Sequence, residues 1–207
     1  MSGLFITFEG VDGCGKTTQI QLLKNYLENN NKEVVLIREP GGTDISEKIR
    51  NIILDVNNDE MSYTCEMLLY AAARAQLINQ VIKPSLDHGK IVLCDRFVDS
   101  SFVYQGIARG IGIDKVKRVN DIATNGLMPD ITLFFDIAPD IALKRRMGVS
   151  FADRIEKEKL EFHEMVYQGY KKLASMYPDR IKKIDAICDV DEVTKQVLHE
   201  IEKKMML

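Results

Sequence analysis

No stretch of the 207 residues is apolar for long enough to cross a bilayer as a helix, which excludes a helical membrane protein. Positive charge is not in excess either. With 28 Lys+Arg against 31 Asp+Glu, the net charge is -3, so the general basic field of a non-specific nucleic-acid binder is missing. No nucleic-acid or membrane partner is expected. Cys14, Cys65, Cys94 and Cys188 are scattered and form no C-x-x-C pair, as reduced thiols of a cytosolic protein would be. His88, His163 and His199 are scattered too, and all three are read as surface residues with no metal or base role. No cationic segment precedes an apolar run at the N-terminus, so no signal peptide is expected and the predicted location is cytoplasmic. Repeats, low-complexity tracts and linkers are also missing. The expectation is one domain over 1–207, and a hydrophobic content of 45% is enough to give it a core.

What is present is concentrated in one octapeptide, Gly10-Val11-Asp12-Gly13-Cys14-Gly15-Lys16-Thr17. It satisfies the phosphate-binding pattern G-x-x-x-x-G-K-[ST] at every fixed position. The apolar run Leu4-Phe5-Ile6-Thr7-Phe8 precedes it, and Ile20, Leu22, Leu23 and Leu27 follow near helical spacing. Glycines let successive N–H groups turn inward on a phosphate chain, and the helix N-terminus adds partial positive charge there. Lys16 can reach the outer phosphates and the Thr17 hydroxyl can ligate magnesium. Cys14 has two readings: a thiol activated by the helix end, or a small filler at a variable loop position.

Strands predicted near 4–9, 33–38, 90–95, 131–136 and 181–186 alternate with helical patterns, including an amphipathic helix near 190–205. Near-continuous apolar runs such as Val34-Val35-Leu36-Ile37 suit parallel strands covered on both faces. The fold class expected is α/β: a three-layer, doubly wound, five-stranded parallel sheet of the P-loop NTPase type. Ligands of such sheets bind beyond the strand C-terminal ends. The polar groups Gly10–Thr17, Arg38-Glu39-Pro40 and Asp95-Arg96 all follow strands.

Asp95 ends an apolar strand, where a carboxylate can hold the magnesium shell. No N-K-x-D motif occurs, which argues against a guanine-nucleotide switch. Transfer between two anionic substrates needs several converging cations, and the candidates are Lys16, Arg38, Arg74, Arg96, Arg145, Arg146 and Arg154. The segment 144–160, cationic at its start, is either a lid over phosphates or a solvated connection between helices.

Motifs along nearly the whole chain resemble the bacterial thymidylate kinase family. They include Phe8-Glu9-Gly10, Arg38-Glu39-Pro40-Gly41-Gly42-Thr43, Tyr70-Ala71-Ala72-Ala73-Arg74 and Asp95-Arg96-Phe97-x-Asp99-Ser100-Ser101-x-x-Tyr104-Gln105-Gly106. Gly126-Leu127-x-Pro129-Asp130 and Asp153-Arg154-Ile155-Glu156 complete the set. The resemblance implies transfer of the terminal phosphate of ATP to dTMP, with Mg2+, in a homodimer with a short helical lid at about 144–155.

Position by position, the resemblance puts ATP phosphates on Lys16 and the loop amides, and magnesium on Thr17 and Asp95. Asp12 would accept from the dTMP 3′-hydroxyl, and Arg38 and Arg96 would grip the dTMP phosphate. Arg74 would donate to thymine O4, Gln105 would meet the N3/O4 edge with Ser101 nearby, Tyr104 would sit against the deoxyribose and Pro40 near the methyl. Tyr70 stands where many members stack phenylalanine on thymine; the alternative is core packing. With Gly13 and Cys14 in the loop, catalytic arginine would come from the lid: Arg154 first, Arg146 second. Rival readings are a kinase of the same fold acting on dUMP, CMP or a deoxynucleoside, and a P-loop protein that binds nucleotide without turnover.

Overall fold

The computed structural model describes residues 3–146 and 153–206. Five strands form one sheet: β1 (Leu4–Glu9), β2 (Val34–Arg38), β3 (Ile91–Asp95), β4 (Ile131–Asp136) and β5 (Ile181–Asp185). All pairings are parallel, in the order β2-β3-β1-β4-β5. Each strand therefore needs a crossover to reach the next, and helices supply it. They are α1 (Lys16–Asn29), α2 (Asp44–Leu54), α3 (Tyr63–Leu77), α4 (Lys83–Asp87), α5 (Val98–Ser101), α6 (Ile113–Thr124), α7 (Pro139–Arg146), α8 (Leu160–Met176) and α9 (Val190–Met205). Two π-helical stretches, Ile78–Ile82 and Phe102–Ala108, continue α3 and α5.

The doubly wound α/β expectation holds, and each strand lies within about a residue of its predicted place. β1, β3 and β4 are buried over nearly their whole length, and Phe5, Phe8, Phe134 and Phe135 fill the core around them. The expectation of two covered faces fails for β2. It is an edge strand, only Ile37 is buried, and Leu36 is 42% exposed. His163 also departs from the surface reading. It sits on the inner side of α8 and is buried, edge-on to Phe162.

Two features aim the sheet at a ligand. β1 lies between β3 and β4, and the chain reverses its winding there, so the C-terminal ends of β1 and β3 open a crevice. The Arg96 amide donates to the Phe8 carbonyl at 3.0 Å, which locks the two strand ends side by side. The helix caps also differ. Thr43, Ser62 and Asp189 each accept an amide at the start of α2, α3 and α9. α1 begins after Gly15 with no side-chain cap, so its first amides face outward for an anion.

Of the expected lid, 144–146 close α7 and 147–152 lie outside the described residues. At 153–158 the chain turns, with the Asp153 carboxylate accepting from the Ile155 and Glu156 amides at 2.9 Å.

Candidate active site

The loop Gly10–Thr17 leaves β1 and enters α1. Gly10 has φ +143°, and a Cβ there would stand 2.9 Å from the Phe135 carbonyl oxygen, so no larger residue fits. Lys16 is buried, and its ammonium donates to the Gly10 and Val11 carbonyls at 3.1 Å each and contacts Cys14 Sγ at 3.5 Å. Cys14 is itself buried, as the filler reading expects. A first pocket lies over this loop, lined by Gly13, Gly15, Lys16, Thr17 and Thr18. Arg145, at the end of α7, closes its far side, held by the Ala186 and Ile187 carbonyls at 2.7 and 3.0 Å.

A second pocket lies beyond the ends of β2 and β3. Arg38, Pro40, Tyr70, Ser101, Tyr104 and Gln105 all line it, so most of the predicted acceptor residues meet in one place. Asp12, Asp95 and Arg96 line both pockets and form the seam between them. At that seam Arg96 Nη2 donates to Asp12 Oδ1 at 2.6 Å. Its guanidinium lies over the Tyr104 ring at 5.4 Å, a cation–π contact. Burial holds the Tyr70 and Tyr104 phenols above the usual tyrosine range, so both stay neutral.

Arg96 is placed by Glu9, whose role no local sequence signal announces. Glu9, at the end of β1, accepts from the Phe97 amide at 2.8 Å, the Ser100 hydroxyl at 2.6 Å and the Tyr170 hydroxyl at 2.8 Å. Ser100 and Tyr170 in turn accept from Arg96 at 3.4 and 3.2 Å. Arg96 itself has φ 68°, an unusual conformation for arginine that these bonds stabilise. Burial first, and the Asp99 charge second, raise the Glu9 pKa to about 7.

A third cation in the second pocket went unpredicted. Arg50, on α2, donates to the Pro40 carbonyl at 2.9 Å, as Arg38 does from the other side. Burial, and then the Arg38 charge, push the Arg50 pKa down. Two guanidiniums crowded at one carbonyl make a place where an anion is welcome. Arg38 is steadied by Glu47 at 3.1 Å. Gly41 has to be small here, because a Cβ would come within 2.2 Å of Arg38 Nη1.

Two of the predicted arginines are held by buried carboxylates in this structure. Arg74 does not line the pocket. It is buried one layer behind, with all five N–H groups engaged: two on Glu39, one each on Ser101, Asn120 and the Phe97 carbonyl. Arg154, the first choice for a lid arginine, faces away from the phosphate loop in this conformation. It is buried, and donates to Glu66 at 2.6 Å and to the Ile53 carbonyl at 2.8 Å. The physical reason is the same in both cases: a buried carboxylate nearby captures the guanidinium. The Arg146 side chain lies outside the described residues.

Asp95 Oδ1 is buried and has no hydrogen-bond partner among the described residues, while Thr17 lines the same pocket. A free carboxylate oxygen beside a hydroxyl suits magnesium, which takes one or two protein ligands and completes its shell with phosphates and water. Among the described residues no group of three acidic, histidine or cysteine side chains is clustered to hold a metal by itself.

A parallel sheet with a phosphate loop at its switch point, joined at one seam to a cation-rich acceptor pocket, defines a P-loop nucleotide kinase. The thymidylate kinase family model matches residues 8–197. A thymidylate kinase of Thermoanaerobacter sp. (strain X514) is 52% identical over 98% of this chain and 99% of its own. That of Finegoldia magna (strain ATCC 29328 / DSM 20472 / WAL 2508) is 50% identical over 99% and 100%. The crystal structure of thymidylate kinase from Ehrlichia chaffeensis superposes with a TM-score of 0.79 at 35% identity, covering 98% of this chain and 99% of that one. The chain belongs to the thymidylate kinase family.

Proposed function

We propose that this chain, acting as one kinase domain, moves the terminal phosphate of ATP to dTMP and releases dTDP and ADP, with the phosphate-loop pocket as donor site and the second pocket as acceptor site. The observation that carries the reading is the shared seam. Asp12, Asp95 and Arg96 line both pockets, so the two substrates meet end to end there. The acceptor is already an anionic phosphate oxygen, so no general base is needed and the protein's task is alignment and charge neutralisation.

The residue roles follow from position. The first amides of α1 and the Lys16 ammonium bind the donor phosphates once Lys16 leaves the Gly10 and Val11 carbonyls. Arg96 neutralises the transferring group from the seam, and Arg38 with Arg50 holds the acceptor phosphate. Asp12 faces the sugar. Tyr70 stacks on the base, and Tyr104 crowds the ribose against a 2′-hydroxyl. Arg74 acts through Ser101 rather than by touching the base. Thr17 and Asp95 would hold magnesium, which when bound offsets charge on the donor phosphates. The reading places Arg145 against the ATP base and keeps 144–155 as a lid. Arg146 is the lid arginine to test next, with Arg154 following if Glu66 releases it. A cytoplasmic homodimer belongs to the same reading; Leu68, 50% exposed on α3, is the part of the apolar stretch Met67-Leu68-Leu69 that can pack on a partner.

ADP release from ATP and magnesium, measured against dTMP, dUMP, dCMP, dGMP and thymidine, tests this. Strong preference for dTMP is the expected result. Preference for another acceptor overturns the acceptor roles, and ADP release that does not depend on an acceptor overturns the transfer reaction.

A further inference from the structure

Glu66 lies on the buried side of α3 and is wholly enclosed. Three side chains donate to it. Gln105 Nε2 reaches Oε1 at 2.9 Å, Arg109 reaches both oxygens at 3.3 Å, and Arg154 reaches Oε2 at 2.6 Å. Guanidiniums can only donate, and they meet both Glu66 oxygens, so both oxygens act as acceptors. The Gln105 amide therefore has one stable orientation. Its nitrogen must face Glu66, because turning it over would set one acceptor oxygen against another with no proton between them. The carbonyl oxygen is what Gln105 then offers the acceptor pocket it lines.

Ser101 is oriented from the other side. Its oxygen accepts from Arg74 at 2.9 Å, which leaves the hydroxyl proton free to donate into the same pocket. Together the two residues present one donor and one acceptor. A 4-keto pyrimidine with a proton on N3 offers the complementary pattern. Cytosine, with a 4-amino group and a bare N3, offers the reverse.

We propose that Glu66 is a positioning residue for base selection: by holding the Gln105 amide nitrogen it turns the carbonyl oxygen to the pocket and makes the pocket choose an N3–H edge. This rests on the reading of that pocket as a pyrimidine nucleotide site. Glu66 never touches substrate. It acts through an amide whose two ends differ only in hydrogen-bond sense, so its loss should alter selectivity more than shape. Glu66→Gln keeps the volume but can either accept from or donate to Gln105, which frees the amide to take both orientations.

The test is the ratio of kcat/KM for dTMP over dCMP. Glu66→Gln should lower that ratio roughly tenfold, the scale of one mispaired buried hydrogen bond. Gln105→Leu should lower it also, and adding Glu66→Gln to Gln105→Leu should leave it unchanged. General damage to the fold, or to the segment held by Arg154, would lower both substrates alike and leave the ratio where it was; that result overturns the proposal. So does an equal drop in ratio with and without Gln105. Should Glu66→Gln fail to fold, the wild-type chain carries a second measurement. With 15N-labelled glutamine, the Gln105 side-chain amide protons should stay protected from exchange when dTMP binds. Loss of that protection, with the nitrogen turned to the base, overturns the proposal. A wild-type chain that does not favour dTMP over dCMP overturns the reading of the pocket itself. One that favours dTMP with a ratio indifferent to Glu66 overturns only the role of Glu66.

Discussion

Arg96 Nη2 stands 2.6 Å from Asp12 Oδ1, so the loop after β3 is tied to the phosphate loop at the point where the two pockets join. On the proposed reading, the acceptor phosphate draws part of the Arg96 guanidinium to itself, and Asp12 turns toward the sugar hydroxyl.

Arg96→Ala should therefore lower kcat/KM for dTMP on the order of 100-fold, the usual cost of one lost donor to developing charge. ATP binding, which the proposed reading gives to the loop amides and Lys16, should be nearly unchanged. Steady-state kinetics with dTMP varied, together with calorimetric titration of ATP, separate the two effects. Normal turnover in the variant would remove Arg96 from the transfer step.

Arg74 is a buried post. Its side chain is 1% exposed, that of its partner Glu39 is 3% exposed, and Glu39 Oε1 already has no partner among the described residues. Burial pushes the Glu39 pKa up, and the Arg74 charge opposes that. Arg74→Ala strands this carboxylate together with Ser101, Asn120 and the Phe97 carbonyl. The expected cost is about 3–5 kcal/mol of stability, as for other broken buried pairs. Urea unfolding measures it, and a loss under about 1 kcal/mol would mean that water or a rearranged neighbour satisfies the site.

Much of this was legible in the chain because the signals are local. A phosphate loop is eight contiguous residues, and a buried parallel strand is a short apolar run, so both were placed to within about a residue. What escaped depends on pairings distant in sequence. Arg50 joins the acceptor pocket only because the fold brings α2 back to the Pro40 carbonyl. Glu66 meets Gln105 and Arg154 across separations of 39 and 88 residues. No spacing rule announces that a carboxylate on α3 will capture an arginine expected over the phosphates. His163 was misplaced for a related reason: a polar residue within the apolar face of α8 is carried inward with its neighbours.

The acceptor pocket should separate dTMP from dUMP only weakly. The two differ by one methyl group, and the apolar surface that can receive it includes Pro40 and Leu54. A buried methyl is worth about 1 kcal/mol, or roughly fivefold in kcat/KM. Competition between the two substrates should give a ratio of that size, and Pro40→Ala should shrink it. A ratio above about a hundredfold would require a polar discriminator that the pocket does not display.

Glu9 makes the stability of the chain depend on pH near neutrality. Its carboxyl has an ordinary pKa of 4.5 in the unfolded chain and about 7 in the folded one, raised by burial first and by Asp99 second, while Arg96, Ser100 and Tyr170 pull it down. The folded state therefore holds a proton that the unfolded state gives up between those values. Its contribution to stability is fully present below pH 4.5 and is lost as pH rises through 7. The amount at stake is on the order of 3 kcal/mol. Glu9→Gln cannot titrate, and the Ser100 and Tyr170 hydroxyls can reverse from donor to acceptor to receive its amide. Urea unfolding from pH 5 to 8 should show the wild type losing stability relative to the variant, and the 13C shift of the Glu9 carboxyl should titrate near 7. A flat difference across that range would mean that the Phe97 amide and the Ser100 and Tyr170 hydroxyls hold Glu9 ionised throughout. In that case the Ser100 and Tyr170 hydroxyls would point at Glu9 at every pH and Arg96 would always find acceptors there. If the difference appears instead, protonation of Glu9 weakens the hold on Arg96 below pH 7, and kcat for dTMP should fall as pH is lowered from 8 to 5.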